Sequence, residues 1–190
     1  MTAFFTATSV GPSIVPWETR SKTLERLLCC PVAMSAIIVG DMFSSFIFGS
    51  IISIIPLALT LFLGIQPLNF MMLLLGLIIA NLCFAALSVL LSAYPPTDVP
   101  ATSMMLSSLV KFPLVFISGV FVPVEQLPPW GVTIASISPL TYFTDMVRQL
   151  FLNRGFYPLV LDFIALVAFT TAFTFAAIKL HEKTLAKRLS

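Results

Sequence analysis

Charge is what this 190-residue sequence has least of: Asp, Glu, Lys and Arg together make up 9% of it. Average soluble domains carry about 25%, so a soluble fold of this size could not cover its surface. The formal net charge of +2 leaves no electrostatic footprint for a nucleic-acid partner. Of the three cysteines, Cys29 and Cys30 are neighbours and Cys83 stands alone. No disulfide framework follows, and all three read as free thiols or packing residues. The single histidine, His181, falls in a polar tail and reads as an exposed side chain. No group of residues has metal-ligand spacing, and no G-x-x-x-x-G-K-[ST] loop exists to cradle a phosphate. The sequence therefore calls for no catalytic residues, no metal and no cofactor, and any use of ATP falls to another chain. Met1 to Val15 lacks Lys and Arg, which excludes the basic start of a signal peptide. Period-two alternation, the mark of a membrane β-barrel, is also missing.

What is present is apolar. Hydrophobic residues make up 58% of the chain, and mean hydropathy is +1.05. A spanning helix needs about 20 mostly apolar residues. Met42 to Ile65, Phe70 to Ala93, Ala101 to Val124 and Gly155 to Ile178 are runs of about that length. Met1 to Trp17 is uncharged but short, with Gly11, Pro12 and Pro16, and reads as a partial span. Glu125 to Arg154 is broken by Pro128, Pro129 and Pro139 and is not one straight span. Because helices satisfy their own backbone in lipid, the expectation is an all-α membrane protein: one domain over residues 1–190, with about five spanning segments, the first partial.

Basic residues set the orientation. Alternating the connections places Arg20, Lys22, Arg26, Lys179, Lys183, Lys187 and Arg188 on one side, against Arg148 and Arg154 on the other. The richer side is cytoplasmic. It holds the Glu18–Pro31 segment, the Tyr94–Pro100 loop and the C-terminus, and the expected location is the plasma membrane. Within Glu18–Pro31, Leu24, Leu27 and Leu28 fall at helical i, i+3, i+4 spacing beside Glu18, Arg20, Lys22, Glu25 and Arg26. That is a short amphipathic helix, either lying on lipid headgroups or docking a cytoplasmic partner.

Three further features call for a reading. Lys111 lies mid-span, where a lipid-facing lysine costs roughly 2.5–3.5 kcal/mol. It either snorkels or packs on carbonyls, or faces a subunit interface or substrate path. Asp162 lies toward the outer end of its helix, too far away to pair with it. Ser45, Gly49 and Ser53 form one small-residue stripe, and Ala165, Ala168, Ala172 and Ala176 another. Both are expected to pack within the subunit, with a dimer interface as the alternative. The 18 phenylalanines read as lipid-facing and core residues rather than a substrate-stacking set.

Two motif series carry a resemblance. Thr23-Leu24-Glu25-Arg26-Leu27-Leu28-Cys29-Cys30-Pro31-Val32 looks like the coupling segment of type-2 ATP-binding-cassette (ABC) exporter permeases. A more distinctive series is Phe116-Ile117-Ser118-Gly119-Val120-Phe121-Val122-Pro123, then Leu127-Pro128-Pro129-Trp130, then Ser138-Pro139-Leu140-Thr141-Tyr142, with Asp145 and Arg148. It resembles that family's last third in order and spacing. The resemblance runs from about Trp17 to the C-terminus. It departs from the pattern at Lys22, where glycine is usual, and at Arg20, where a second acid is common. Relative to the family's six spans, the chain reads as beginning within the second, without the first.

The resemblance implies a permease subunit of an ATP-driven exporter. A cytoplasmic ABC ATPase would dock on Glu18, Thr23, Leu24, Glu25, Leu27, Leu28 and Pro31. A second permease copy, homologous or identical, would complete the path, with lipid around it and no nucleic acid. Lys111 is the pathway candidate. Ser118, Gly119, Pro123, Pro128, Trp130, Pro139 and Tyr142 would form an outer re-entrant lid. The alternatives are a secondary transporter or channel fragment and a non-transporting membrane scaffold. The first alternative lacks the carboxylate relays such proteins use.

Overall fold

The computed structural model describes residues 1–22, 34–93, 99–121, 123–153 and 155–188. Among the described residues every regular element is helical: α1 (Thr2–Arg20), α2 (Met34–Phe62), α3 (Phe70–Ser92), α4 (Pro100–Ile117), a 3-10 turn (Val124–Gln126), α5 (Pro129–Ala135), α6 (Pro139–Leu152) and α7 (Leu159–Arg188). Four stretches are long and apolar enough to cross a membrane: Ser35–Phe62, Phe70–Ser92, Pro100–Ile117 and Leu159–His181. α1, with 19 residues and Pro12 and Pro16 inside it, is not among them.

α3 is the hub. It packs against α1, α2, α4, α6 and α7, and its sequence contains no charged residue. A helix surrounded by helices must be apolar all round, and α3 buries Leu73, Ala80, Cys83, Phe84, Ala85, Ala86, Leu87 and Val89. The main core gathers on it, with Phe4 of α1, Val115 of α4, Leu140, Phe143 and Met146 of α6 and Leu166 of α7. Phe4 and Phe143 both meet the Phe84 ring edge-on, at centroid distances of 5.1 and 5.7 Å.

The helices come close where side chains are small. The Gly11 amide donates to Ser88 Oγ at 2.9 Å, and a Cβ at Gly11 would stand 2.8 Å from the Ser88 carbonyl oxygen. The Ser45–Gly49–Ser53 stripe lies inside the subunit, with Gly49 against Ala7 and Asn81. Asn81 Nδ2 reaches Ser53 Oγ at 3.4 Å. The alanine stripe on α7 does otherwise: Ala168 and Ala172 are exposed. The face that α7 buries carries Asp162, Leu166, Thr170, Ala177 and His181. A wide helix face has several small-residue rows, and here polar residues, not alanines, mark the buried one.

Several expected boundaries shift. α2 begins at Met34 and takes in Asp41, because a charge near the inner end of a span can reach the headgroup region. α4 ends at Ile117 rather than Val124, since Gly119 at φ +77° turns the chain away. α7 runs to Arg188, and His181 is buried, not exposed. Its Nε2 lies 3.4 Å from Ser92 Oγ and its Nδ1 3.0 Å from the Ala177 oxygen.

Gly11→Ala is expected to cost about 1–3 kcal/mol through overpacking. Gly40→Ala meets nothing within 4 Å and should be neutral or stabilising by about 0.5–1 kcal/mol. Unfolding titrations in mixed micelles compare the two; equal stabilities would contradict the close α1–α3 contact.

Candidate functional site

α5 and α6 form a helical hairpin that enters the bundle and turns back. Depth along the neighbouring helices shows this. The C-terminal end of α6 meets the α2–α3 connection, where the Leu68 amide donates to the Leu150 oxygen at 2.7 Å. Met146 packs over Gly76, and Phe143 reaches Phe84, well over half-way along α3. At the hairpin bend, Ile134, Ile137 and Ser138 flank Val110, Pro113, Leu114 and Ile117 of α4 around a cavity of about 310 Å³. Val110 lies just past the middle of the membrane-spanning helix Pro100–Ile117, and Pro113 lies four residues from its Ile117 end.

Such a hairpin breaks the helical backbone against an apolar bundle, and each broken group needs a partner where water is excluded. α6 supplies them. At the α4 terminus, Thr144 Oγ1 donates to the Ser118 oxygen at 2.9 Å, and Arg148 Nη2 donates to the Gly119 oxygen at 2.6 Å. Gly119's positive φ turns that carbonyl toward the guanidinium. At the hairpin bend, Thr141 Oγ1 donates to the Ala135 oxygen at 2.6 Å and Tyr142 Oη to the Ser136 oxygen at 3.0 Å. At the approach to α7, Asp145 accepts the Phe156 amide on both oxygens at 2.9 and 3.0 Å, and the Tyr157 amide at 2.8 Å. Gln149 Nε2 donates to the Tyr157 oxygen. Burial pushes the Tyr142 phenol up, which keeps it a neutral donor.

The remaining members of the outer series are placed as follows. Pro123 and Pro128 precede the 3-10 turn and α5, Pro139 is the first residue of α6, and Trp130 is exposed. Prolines at helix starts lose no intrahelical bond.

Lys111 lies elsewhere. It is 2% exposed and turned into the seam between α4 and α1, where Nζ donates to Ser9 Oγ at 3.0 Å. Ser103 and Ser107 continue the same buried row on α4, so the seam is a polar line through an apolar bundle. The hairpin and Lys111 are thus not one cluster: Arg148 reaches the end of α4, and Lys111 reaches α1.

Glu18 belongs to the last turn of α1, which stops at Arg20. Lys22 follows at φ +57°, a conformation costing a non-glycine residue about 1–2 kcal/mol, at the position where the resemblance has glycine. A helix running unbroken from Glu18 is therefore not formed. Thr23, Leu24, Glu25, Leu27, Leu28 and Pro31 lie outside the described residues.

The family model for the ABC-2 type transporter matches residues 1–152. The chain belongs to this family. Relatives agree in kind. The "Inner membrane transport permease YadH" of Escherichia coli (strain K12) is 28% identical over 153 residues, covering 80% of this chain and 59% of that protein. "Putative transport permease ycf38" of Pyropia yezoensis is 31% identical over 135 residues, 67% of this chain and 45% of that one. "Nodulation protein J" of Bradyrhizobium diazoefficiens is 29% identical over 109 residues, 57% and 41% respectively. The chain thus spans about three-fifths of the length of YadH. No solved structure matches it.

Within this ABC-2 chain, the motif series included Thr141, Tyr142, Asp145 and Arg148 without giving them backbone partners, and it left out Thr144 and Gln149. A signal existed: polar residues at 141, 144, 145, 148 and 149 follow helical spacing in a chain poor in polar groups. Ser9 had none, and Asp162 was noted as an acid within a span but given no role.

Asp145→Asn is expected to weaken the hairpin by about 1.5–3 kcal/mol, the worth of hydrogen bonds to a charged group. Amide exchange at Phe156 and Tyr157 in lipid should rise about ten- to hundredfold. Unchanged protection would show that Asp145 does not hold this segment.

Proposed function

We propose that this ABC-2 family chain acts as the transmembrane permease subunit of an ATP-driven exporter in the cell membrane. A separate cytoplasmic ABC ATPase would hydrolyse the ATP and dock on Glu18 and the following Thr23, Leu24, Glu25, Leu27, Leu28 and Pro31. A second permease copy would complete the path. The observation that carries the reading is the polar seam of Ser9, Ser103, Ser107 and Lys111, running between two helices of the bundle. A buried lysine row is expensive in a purely structural core. It is accounted for if α1 and α4 separate during transport and Lys111 meets water or an anionic part of the cargo. The outer series Ser118, Gly119, Pro123, Pro128, Trp130, Pro139 and Tyr142 would then act as the lid. Residues 1–190 would work as one transmembrane domain, without nucleotide bound to the chain itself.

The test uses the full chain co-expressed with its candidate ATPase. Leu24→Asp with Leu28→Asp should abolish co-purification while membrane insertion persists; an intact complex would refute the docking site. Lys111→Met should insert normally and lose transport, with Lys111→Arg retaining part of it. Wild-type transport by Lys111→Met would remove Lys111 from the path.

A further inference from the structure

Asp162 stands out among the buried groups. It is fully buried in the first turn of α7, yet neither carboxyl oxygen has a hydrogen-bond partner. Among the described residues nothing around it supplies a positive charge. From α6, Asp145 faces the same seam, where its two oxygens take three amide hydrogen bonds from Phe156 and Tyr157. Arg148, also on α6, gives its guanidinium to Gly119, and Tyr142 is a neutral phenol. From the connecting segment comes Tyr157, whose ring lies 5.4 Å from that of Tyr142. α3 carries no charged residue, and its one thiol, Cys83, pairs with Thr170 farther along α7. α2 carries only Asp41, at the opposite end. Lys111 is committed to Ser9 on α1.

An unpaired carboxylate in that setting is costly far beyond what a helix N-terminus returns. A neutral carboxyl is not. We infer that Asp162 is a proton-binding site of the outer hairpin, occupied when α6 is seated on α7. The proton comes from and returns to water on the outer side, and no other species is needed. Its loss would set two carboxylates facing each other across the α6–α7 seam and drive the hairpin outward. The sign follows from which form binds the proton: the seated form does, so seating is favoured at low pH and weakened as pH rises. This site is independent of which cargo moves or which ATPase docks, so failure of the exporter reading leaves it standing, and the reverse also holds.

Infrared spectroscopy of the full chain in lipid nanodiscs tests it. Wild type should show a protonated-carboxyl C=O band at neutral pH that Asp162→Asn removes; Asp162→Glu, which keeps the acid and shifts the band, serves if the asparagine variant fails to insert. Amide exchange over 139–157, corrected for intrinsic pH dependence, should then lose protection in wild type by up to about tenfold per pH unit on raising pH. Asp162→Asn should stay flat. A band that neither variant changes, or pH profiles identical in wild type and Asp162→Asn, would overturn the assignment.

Discussion

The structure depends on one constraint: no backbone amide or carbonyl can be left unpaired where water is absent. Continuous helices meet it automatically. A hairpin that dives beside α4 and returns along α3 does not, because the chain must leave helical geometry at Ser118–Gly119, at Ala135–Ser138 and again at Phe156–Tyr157. The solution is a single helix, α6, whose polar side chains reach all three breaks. Thr144 and Arg148 take the first, Thr141 and Tyr142 the second, and Asp145 and Gln149 the third. The opposite face of α6 carries Leu140, Phe143, Met146 and Leu150 into the core. One short amphipathic helix thus anchors the hairpin by apolar packing and satisfies its backbone by polar contacts.

The same logic explains why α3 can be featureless. It supplies an uncharged surface on which α1, α2, α6 and α7 all pack, so the specific chemistry is pushed to the seams. Two seams hold buried Lys or Asp side chains: α1–α4, with Lys111, and α6–α7, with Asp145 and Asp162. In a bundle this apolar, buried ionisable groups are where function is expected. The two lie on different helix pairs.

The spans were legible because lipid imposes a long uncharged run, and Phe70 to Ala93 was read nearly to the residue. Ends were less so. The end of α4 depends on one glycine's φ, and the burial of His181 on α7 goes with its meeting Ser92, 89 residues away in sequence. The outer series was recognised as a motif, yet its working contacts are between side chains and distant backbone groups, such as Arg148 to Gly119, 29 residues apart. No local pattern encodes those pairings. The Lys111–Ser9 contact, at 102 residues' separation, is of the same kind. The break after Arg20 was foreshadowed by Lys22 standing in a glycine position, though only the backbone shows why glycine suits it.

The central claim is that the α5–α6 bend lies at membrane depth and is held there by α6. A spin label at Ile137, which is exposed on the bend, tests it through power-saturation EPR in lipid, with a label at Gln126 as the outer reference. The account predicts that the Ile137 label is relaxed strongly by membrane-dissolved oxygen and weakly by a water-soluble nickel reagent, with the order reversed at Gln126. Equal access of the nickel reagent to both labels would contradict it and make the hairpin an ordinary surface loop.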